Sequence, residues 1–288
     1  MFNKKLTTVI LTTALLATAV PTTAVNASNK FSVYSSNAFL KKASKQAARA
    51  SKKYGLYPSV MMAQAVVESN WGTSLLATKA NNLFGMKAND DWKGKRYNKQ
   101  TLEWVNGKYK TIIGSFRKYS SYEKSFEDNA KKLRFGVTWQ PLRYSKAWIE
   151  NAKNYQAATK ALTGTYATEP HYNTILNTRI KNYKLNAIDP KISTKKYTVT
   201  ASMSVATYKW PTDHSVSPKK SSIVKGKKYK VTKTITYYND TQRMYLSGKG
   251  WVNSTVIKVA KASSNNETSV NGASKATSQT SQISSKKN

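Results

Sequence analysis

Val60-Met61-Met62-Ala63-Gln64-Ala65-Val66-Val67-Glu68-Ser69-Asn70-Trp71-Gly72 is an apolar run that closes on a carboxylic acid. As a helix, the run carries apolar side chains on nearly every face, so it must be largely buried within other helices. A carboxyl group at its C-terminal end is then poorly solvated and faces the negative end of the helix dipole. Both effects disfavour the charged form and raise the pKa towards the range a general acid needs near neutral pH. A helix-terminal Glu paired with one of the many lysines is an equal reading of the same pattern, because structural ion pairs also perturb carboxyls.

Outward from this run, the N-terminus predicts export. Lys4 and Lys5 precede an uncharged stretch from Leu6 to Val25, and Val25-Asn26-Ala27 offers the small residues a signal peptidase reads, so residues 1–27 are expected to be a removed signal. A membrane-spanning helix is disfavoured by the threonines and by Pro21. Removing the first 27 of 288 residues would leave 261 and, since they hold two lysines and no acid, would lower the formal charge from +35 to +33. For an exported chain, the anionic partner expected is a cell-wall polymer rather than nucleic acid, with much of the charge forming a solvated face. The chain has no cysteine, which excludes disulfides, Cys nucleophiles and thiolate metal sites.

Helix signals punctuate residues 37–188. Asn37 is expected to cap a helix running to about Lys53 with Gly55 as terminator, and Pro58 suits the first turn of the next. Ser120-Ser121-Tyr122-Glu123 has the form of a capping box before Phe126, Ala130 and Leu133, with Gly136 as the stop. Further helices are expected from Asn154 to Leu162 and from Pro170 to about Tyr183. In the middle of this helical stretch, Thr101–Val105 and Lys108–Ile112 flank Asn106-Gly107, a strong hairpin signal. Beyond Asp189-Pro190 the pattern changes to short alternating runs, which predict a small all-β barrel over 197–260. From about Ser263 the composition predicts a disordered tail.

Chemistry follows by elimination. With only His171 and His214, a His-rich zinc site lacks ligands, and Gly-rich phosphate loops are absent. Carboxylates remain, and there are thirteen. Most lie in helix first turns, polar loops or the C-terminal part, but Glu103 sits mid-strand among bulky neighbours. An Asn-Gly turn would pair it with Lys110 across the ladder, a modest ion pair. A hairpin folded over a helical lobe would instead set Glu68 and Glu103 on opposite walls of a cleft, the arrangement glycoside hydrolysis uses.

These residues carry a resemblance. Ala63–Gly72, Asn81-Asn82-Leu83-Phe84-Gly85-Met86-Lys87, Thr101-x-Glu103-Trp104, Ser115-Phe116-Arg117-x-Tyr119-x-Ser121 and Tyr166-Ala167-Thr168-Glu169-Pro170-x-Tyr172 follow one another as in glycoside hydrolase family 73. The likeness to these bacterial endo-β-N-acetylglucosaminidases covers roughly residues 40–185, with Trp104 where Tyr is common and Glu169 where Asp is common. It implies an α+β fold: a lysozyme-like, mainly helical catalytic domain with a small β-hairpin lobe. It also implies peptidoglycan as substrate, no cofactor and no metal. By matching positions, Glu68 becomes the general acid, Glu103 the second carboxylate and Tyr166 a tyrosine beside the reacting sugar, with the substrate's acetamido group as an alternative nucleophile. Trp71, Asn82, Phe84, Trp92, Tyr119 and Tyr172 become expected substrate-site residues, although Trp71 and Phe84 suit core packing equally well.

Residues 197–260 resemble the SH3-like modules of wall hydrolases. The expected organisation is a signal at 1–27, a catalytic domain at 28–189, a linker at 190–196, a wall-binding module at 197–260 and a tail at 261–288. A secreted, wall-associated monomer is expected, bound to glycan strands and to anionic wall polymers such as teichoic acids, without nucleic acid or membrane partners. Two alternatives stay open: N-acetylmuramidase or lytic transglycosylase chemistry, and a glycan-binding protein without catalysis.

Overall fold

The computed structural model describes residues 30–105 and 108–259. The expected signal, the Asn106-Gly107 turn and the expected tail lie outside the described residues. Helix α1 (Ala38–Tyr54) starts where the Asn37 side chain accepts the Leu40 N–H and stops at Gly55, whose φ of 68° is left-handed. Helix α2 (Pro58–Glu68) opens on proline, as its sequence predicts, and every residue from Pro58 to Val66 is buried. Its first N–H, that of Ser59, donates to Asp189 Oδ1 at 2.9 Å while the Ser59 hydroxyl donates to Oδ2 at 2.6 Å. Burial pushes this Asp189 carboxyl up to about 7.

After α2 the chain makes a short helix α3 (Leu75–Ala80), capped by Ser74, which the sequence pattern did not single out. Strands β1 (Arg96–Val105) and β2 (Lys108–Arg117) form the expected hairpin, with Val105 opposite Lys108 and Glu103 opposite Lys110. Helix α4 (Tyr122–Phe135) follows, then α5 (Tyr155–Leu162) and α6 (Tyr172–Asn182). The cap of α4 is Ser121, whose hydroxyl accepts the Lys124 N–H, so the expected capping box is out of step: Glu123 falls one position short of the third turn residue. Helix α6 begins at Tyr172, two residues later than Pro170 predicts.

The C-terminal part is one antiparallel sheet. Its strands are β3 (Lys191–Ser193), β4 (Tyr197–Ala201), β5 (Val205–Tyr208), β6 (Lys219–Ile223), β7 (Lys228–Thr236), β8 (Gln242–Leu246), β9 (Gly250–Asn253) and β10 (Ile257–Val259). The order is β10-β4-β7-β8-β9-β5-β6, with β3 also on β7. Residues 191–193, expected within a linker, are therefore a strand of this sheet.

The sheet is not a separate bead. Val199, Ile223, Val231, Met244 and Leu246 form its own small core, but Ile235, Tyr237 and Trp251 join the core of the helices. At the junction Arg134 of α4 is fully buried, its guanidinium 4.0 Å from the ring centre of Trp148 and 4.6 Å from that of Trp210. Its Nη2 bonds Glu150 at 2.8 Å, and Lys233 of β7 donates to the Glu150 carbonyl at 2.9 Å. Gly55 also keeps this junction close, because a Cβ would stand tightly at 3.0 Å from the Thr212 methyl and 3.2 Å from Arg134 Nη2. The part expected as a module thus shares its packing with the helices.

Candidate active site

Helix α2 delivers Glu68 as its last helical residue, and an unusual turn fixes where it ends. Asn70, Trp71 and Gly72 are successively left-handed, at φ 47°, 58° and 75°, and the Trp71 N–H closes back on the Val66 carbonyl at 3.0 Å. Only glycine fits at 72, because a Cβ would press to 2.5 Å from the Phe39 ring. Two non-glycine residues in that region store strain that surrounding packing must hold. Trp71 is part of that packing, its ring edge-on to Tyr183 at 4.6 Å and to Phe39 at 6.4 Å.

Around Glu68 stands a polar chain. Gln64, one turn earlier on α2, donates to the Tyr172 hydroxyl at 3.3 Å, and that hydroxyl donates to Glu68 Oε1 at 3.0 Å. Part of Glu68 is open to solvent, yet the protein around its carboxyl still desolvates it, and this raises its pKa above the ordinary range. The Tyr172 hydrogen bond and the Lys132 charge act the other way, favouring the carboxylate. The result is an acid held in one orientation and biased towards keeping its proton.

Tyr166 lies beside this pair. Its ring stacks on Tyr172 with centres 5.9 Å apart, its hydroxyl donates to Asn129 Oδ1 at 3.4 Å, and the Lys132 ammonium lies 4.9 Å from its ring centre. Burial, and then the neighbouring Tyr172 phenol and Glu68 carboxyl, lift the Tyr166 phenol far above its usual value, so it stays a neutral hydrogen-bond donor. Glu68, Tyr166 and Tyr172, singled out separately in sequence, are thus brought together by α2, the segment before α6, and the start of α6. Lys132 of α4 joins them and was not foreseen.

Lys132 also lines a groove of about 480 Å³ whose other walls include Phe84, Met86, Lys87, Arg117 and Trp139. Glu68 is beside this groove rather than among its lining, with Lys132 common to both. Phe84 is buried edge-on to Phe126, so it is both core and groove wall. Trp139 is 81% exposed, past the Gly136 stop of α4, and stands ready to offer a ring face to a sugar. A tryptophan in a polar post-helix loop was the available signal for it.

The remaining expected residues serve the scaffold between hairpin and helices. Arg117 at the end of β2 bonds Asp128 of α4 at 2.8 Å, and the Tyr119 hydroxyl donates to the same oxygen at 2.6 Å. Trp92 is covered by Arg117, 4.6 Å from its ring centre, and meets the Tyr119 ring edge-on. Asn82 is buried and spends its amide on the Met86 and Arg117 carbonyls and the Met86 N–H. Asn82 and Tyr119 therefore hold the base of the hairpin. The backbone of Glu103 lies on β1 opposite Lys110, while its side chain is outside the described residues. Among the described residues no three His, Asp or Glu side chains converge as metal ligands.

Comparison with known proteins bears on residues 44–185, which match a glucosaminidase family described as mannosyl-glycoprotein endo-beta-N-acetylglucosaminidase. A probable N-acetylmuramidase of Lactococcus lactis is 44% identical over 156 residues, 54% of this chain and 35% of that protein. The exo-glucosaminidase LytG of Bacillus subtilis is 41% identical over 138 residues, 48% of each chain. The crystal structure of the catalytic domain of the autolysin Auto from Listeria monocytogenes is 39% identical, covering 64% of this chain and 98% of that one, with a TM-score of 0.48. The chain spans less than half the length of either curated relative.

Proposed function

The chain belongs to the glucosaminidase family, glycoside hydrolase family 73, and on that premise we propose that it is a secreted, autolysin-like peptidoglycan hydrolase acting as an endo-β-N-acetylglucosaminidase. The observation that carries this reading is the desolvated Glu68 carboxyl held by Tyr172 beside the groove. Glu68 protonates the leaving glycosidic oxygen of a β-1,4 bond. The neutral Tyr166 hydroxyl donates to the reacting sugar, and either Glu103 or the substrate's acetamido group assists attack at the anomeric carbon. Once Glu68 has lost its proton, Lys132 and the Tyr172 hydroxyl stabilise the carboxylate. The C-terminal sheet is read as an SH3-like module that retains the enzyme on anionic wall polymers.

Relatives differ in the bond their names indicate, a muramidase in one case and a glucosaminidase in another. Mass analysis of fragments released from purified wall tests the assignment. New reducing ends on N-acetylglucosamine are expected. Reducing N-acetylmuramic acid would mean muramidase chemistry, and an anhydro end would mean a transglycosylase.

Two variants probe the acid and its partner across the cleft. Tyr172→Phe removes a hydrogen bond that favours the Glu68 carboxylate, so the Glu68 pKa rises further. Because the acid works protonated, the alkaline limb of the pH–rate profile is expected to move to higher pH; an unmoved limb, or one moved down, would count against Glu68 as the titrating acid. Glu103→Gln is expected to cut turnover far more than stability, since an ion pair with Lys110, opposite it on the ladder, would be worth only about 0.2–1 kcal/mol. Full activity with a small stability loss would make Glu103 a cross-strand residue only.

A further inference from the structure

Helix α1 presents Lys41, Lys45, Arg49 and Lys52 at intervals of four, four and three residues, which keeps them on one face of the helix. At 1.5 Å of rise per residue the row extends for about 16 Å. Two recesses follow it. One, of about 790 Å³, is lined by Phe31, Lys41, Lys45, Arg49 and Tyr238; the other, of about 480 Å³, by Arg49, Lys52, Asp213, Tyr238 and Arg243. Arg49 and Tyr238 line both, so the recesses form one track from α1 onto the C-terminal sheet. None of the residues lining either recess lines the groove beside Glu68.

Charge along this track is poorly balanced. Lys52 bonds the neutral amide of Asn239 at 3.4 Å, and Arg243 bonds the ring of His214 at 2.8 Å. Burial and then the Arg243 charge lower the Lys52 pKa, while burial and then Arg243 keep His214 neutral. Asp213, which accepts from the Ser215 N–H and hydroxyl, offsets part of the charge of Lys52 and Arg243, and outside the recesses Glu123 stands 3.9 Å from Arg49 with both side chains largely exposed, which leaves one carboxylate in the track against five cations. Like charges crowded in a partly desolvated recess repel, and a bound anion relieves that repulsion.

We propose that the Lys41–Lys45–Arg49–Lys52–Arg243 track is a binding site for a linear phosphodiester polymer, formed jointly by α1 and the C-terminal sheet. Cations spaced about 6 Å apart along a helix suit an anion with repeated charges. The guanidinium forks of Arg49 and Arg243 match phosphate oxygens, and the lysines serve as point charges. Phe31 and Tyr238, ring centres 5.5 Å apart, supply an apolar wall for the uncharged links between phosphates. The choice of polymer rests on the reading of this protein as a wall enzyme; the site itself rests on the geometry.

The test uses the full mature chain and a synthetic poly(glycerol phosphate), with poly-glutamate of matched charge and inorganic phosphate as comparison probes. Lys41→Ala/Lys45→Ala/Lys52→Ala is expected to weaken poly(glycerol phosphate) binding by about tenfold or more and to flatten the salt dependence by about one unit of slope per cation removed. Lys219→Ala/Lys225→Ala/Lys228→Ala removes the same charge from exposed positions elsewhere on the sheet and is expected to change affinity less than about twofold. Equal losses in the two variants would reduce the effect to net charge and overturn the site, as would undiminished binding by the first. Poly-glutamate bound as tightly as poly(glycerol phosphate) would overturn the phosphate assignment. Turnover of soluble glycan fragments, read on the same preparations, is expected to be unchanged in both variants and reports separately on the hydrolase reading.

Discussion

Glu68→Gln is expected to lower turnover of peptidoglycan fragments by about 10²–10⁴-fold, the usual contribution of a positioned general acid, with little change in the urea unfolding midpoint. The amide keeps the side chain's shape and can still accept the Tyr172 hydroxyl that Glu68 Oε1 now accepts, but it has no proton to give the leaving oxygen. Glu68 also ends α2 with its side chain partly in solvent, so the helix buried from Pro58 to Val66 loses no packing. Single-turnover assays on soluble fragments isolate the chemical step from wall retention. Turnover within a factor of a few of wild type would remove Glu68 from the acid role, and with it the functional reading.

The second large effect is on stability. Arg134→Ala is expected to destabilise the protein by about 3–5 kcal/mol, because it leaves the mostly buried Glu150 carboxylate without its partner and removes a cation packed against two tryptophan rings. That is a large share of the roughly 5–15 kcal/mol that holds an ordinary domain together. Replacing both partners by apolar residues, Arg134→Met with Glu150→Leu, is expected to recover most of the loss, since the desolvation of two charges disappears with them. Urea unfolding of the two single variants and the double variant checks the cycle. A single-variant loss under about 1 kcal/mol would mean that the ion pair is solvated and that the junction is held by other contacts.

Much of the helical lobe was legible because its signals are local. Asn37, Gly55, Pro58, Asn154 and Gly136 each act on backbone groups within a turn of themselves, and each stands where its pattern predicts. The all-apolar run before Glu68 foretold burial for the same reason. The capping box misled by one residue because Ser120 and Ser121 are chemically equal candidates and only tertiary packing chooses between them. The site was half legible. Glu68 stood out from its local pattern, and Tyr166 and Tyr172 through motif resemblance, but Lys132 belongs to α4, and no periodicity reveals that its ammonium lies over a tyrosine ring. Asn82 and Tyr119, expected beside the sugar, spend their polar atoms in the structure on holding the hairpin base. The junction with the C-terminal sheet was invisible, because a buried arginine in a strongly basic chain looks in sequence like any solvated one.

That arginine bears on how such a protein could arise by recombination. Residues 44–185 look like a portable unit, yet a tryptophan at 210 helps to cover Arg134, and the carbonyl of Glu150 is taken by a lysine at 233. A foreign C-terminal part spliced on after Asp189 would bring neither, and would leave a buried cation half uncovered. Positions 134, 150, 210 and 233 therefore form one packed set, and the segment that can be exchanged without breaking a contact is longer than the matched segment.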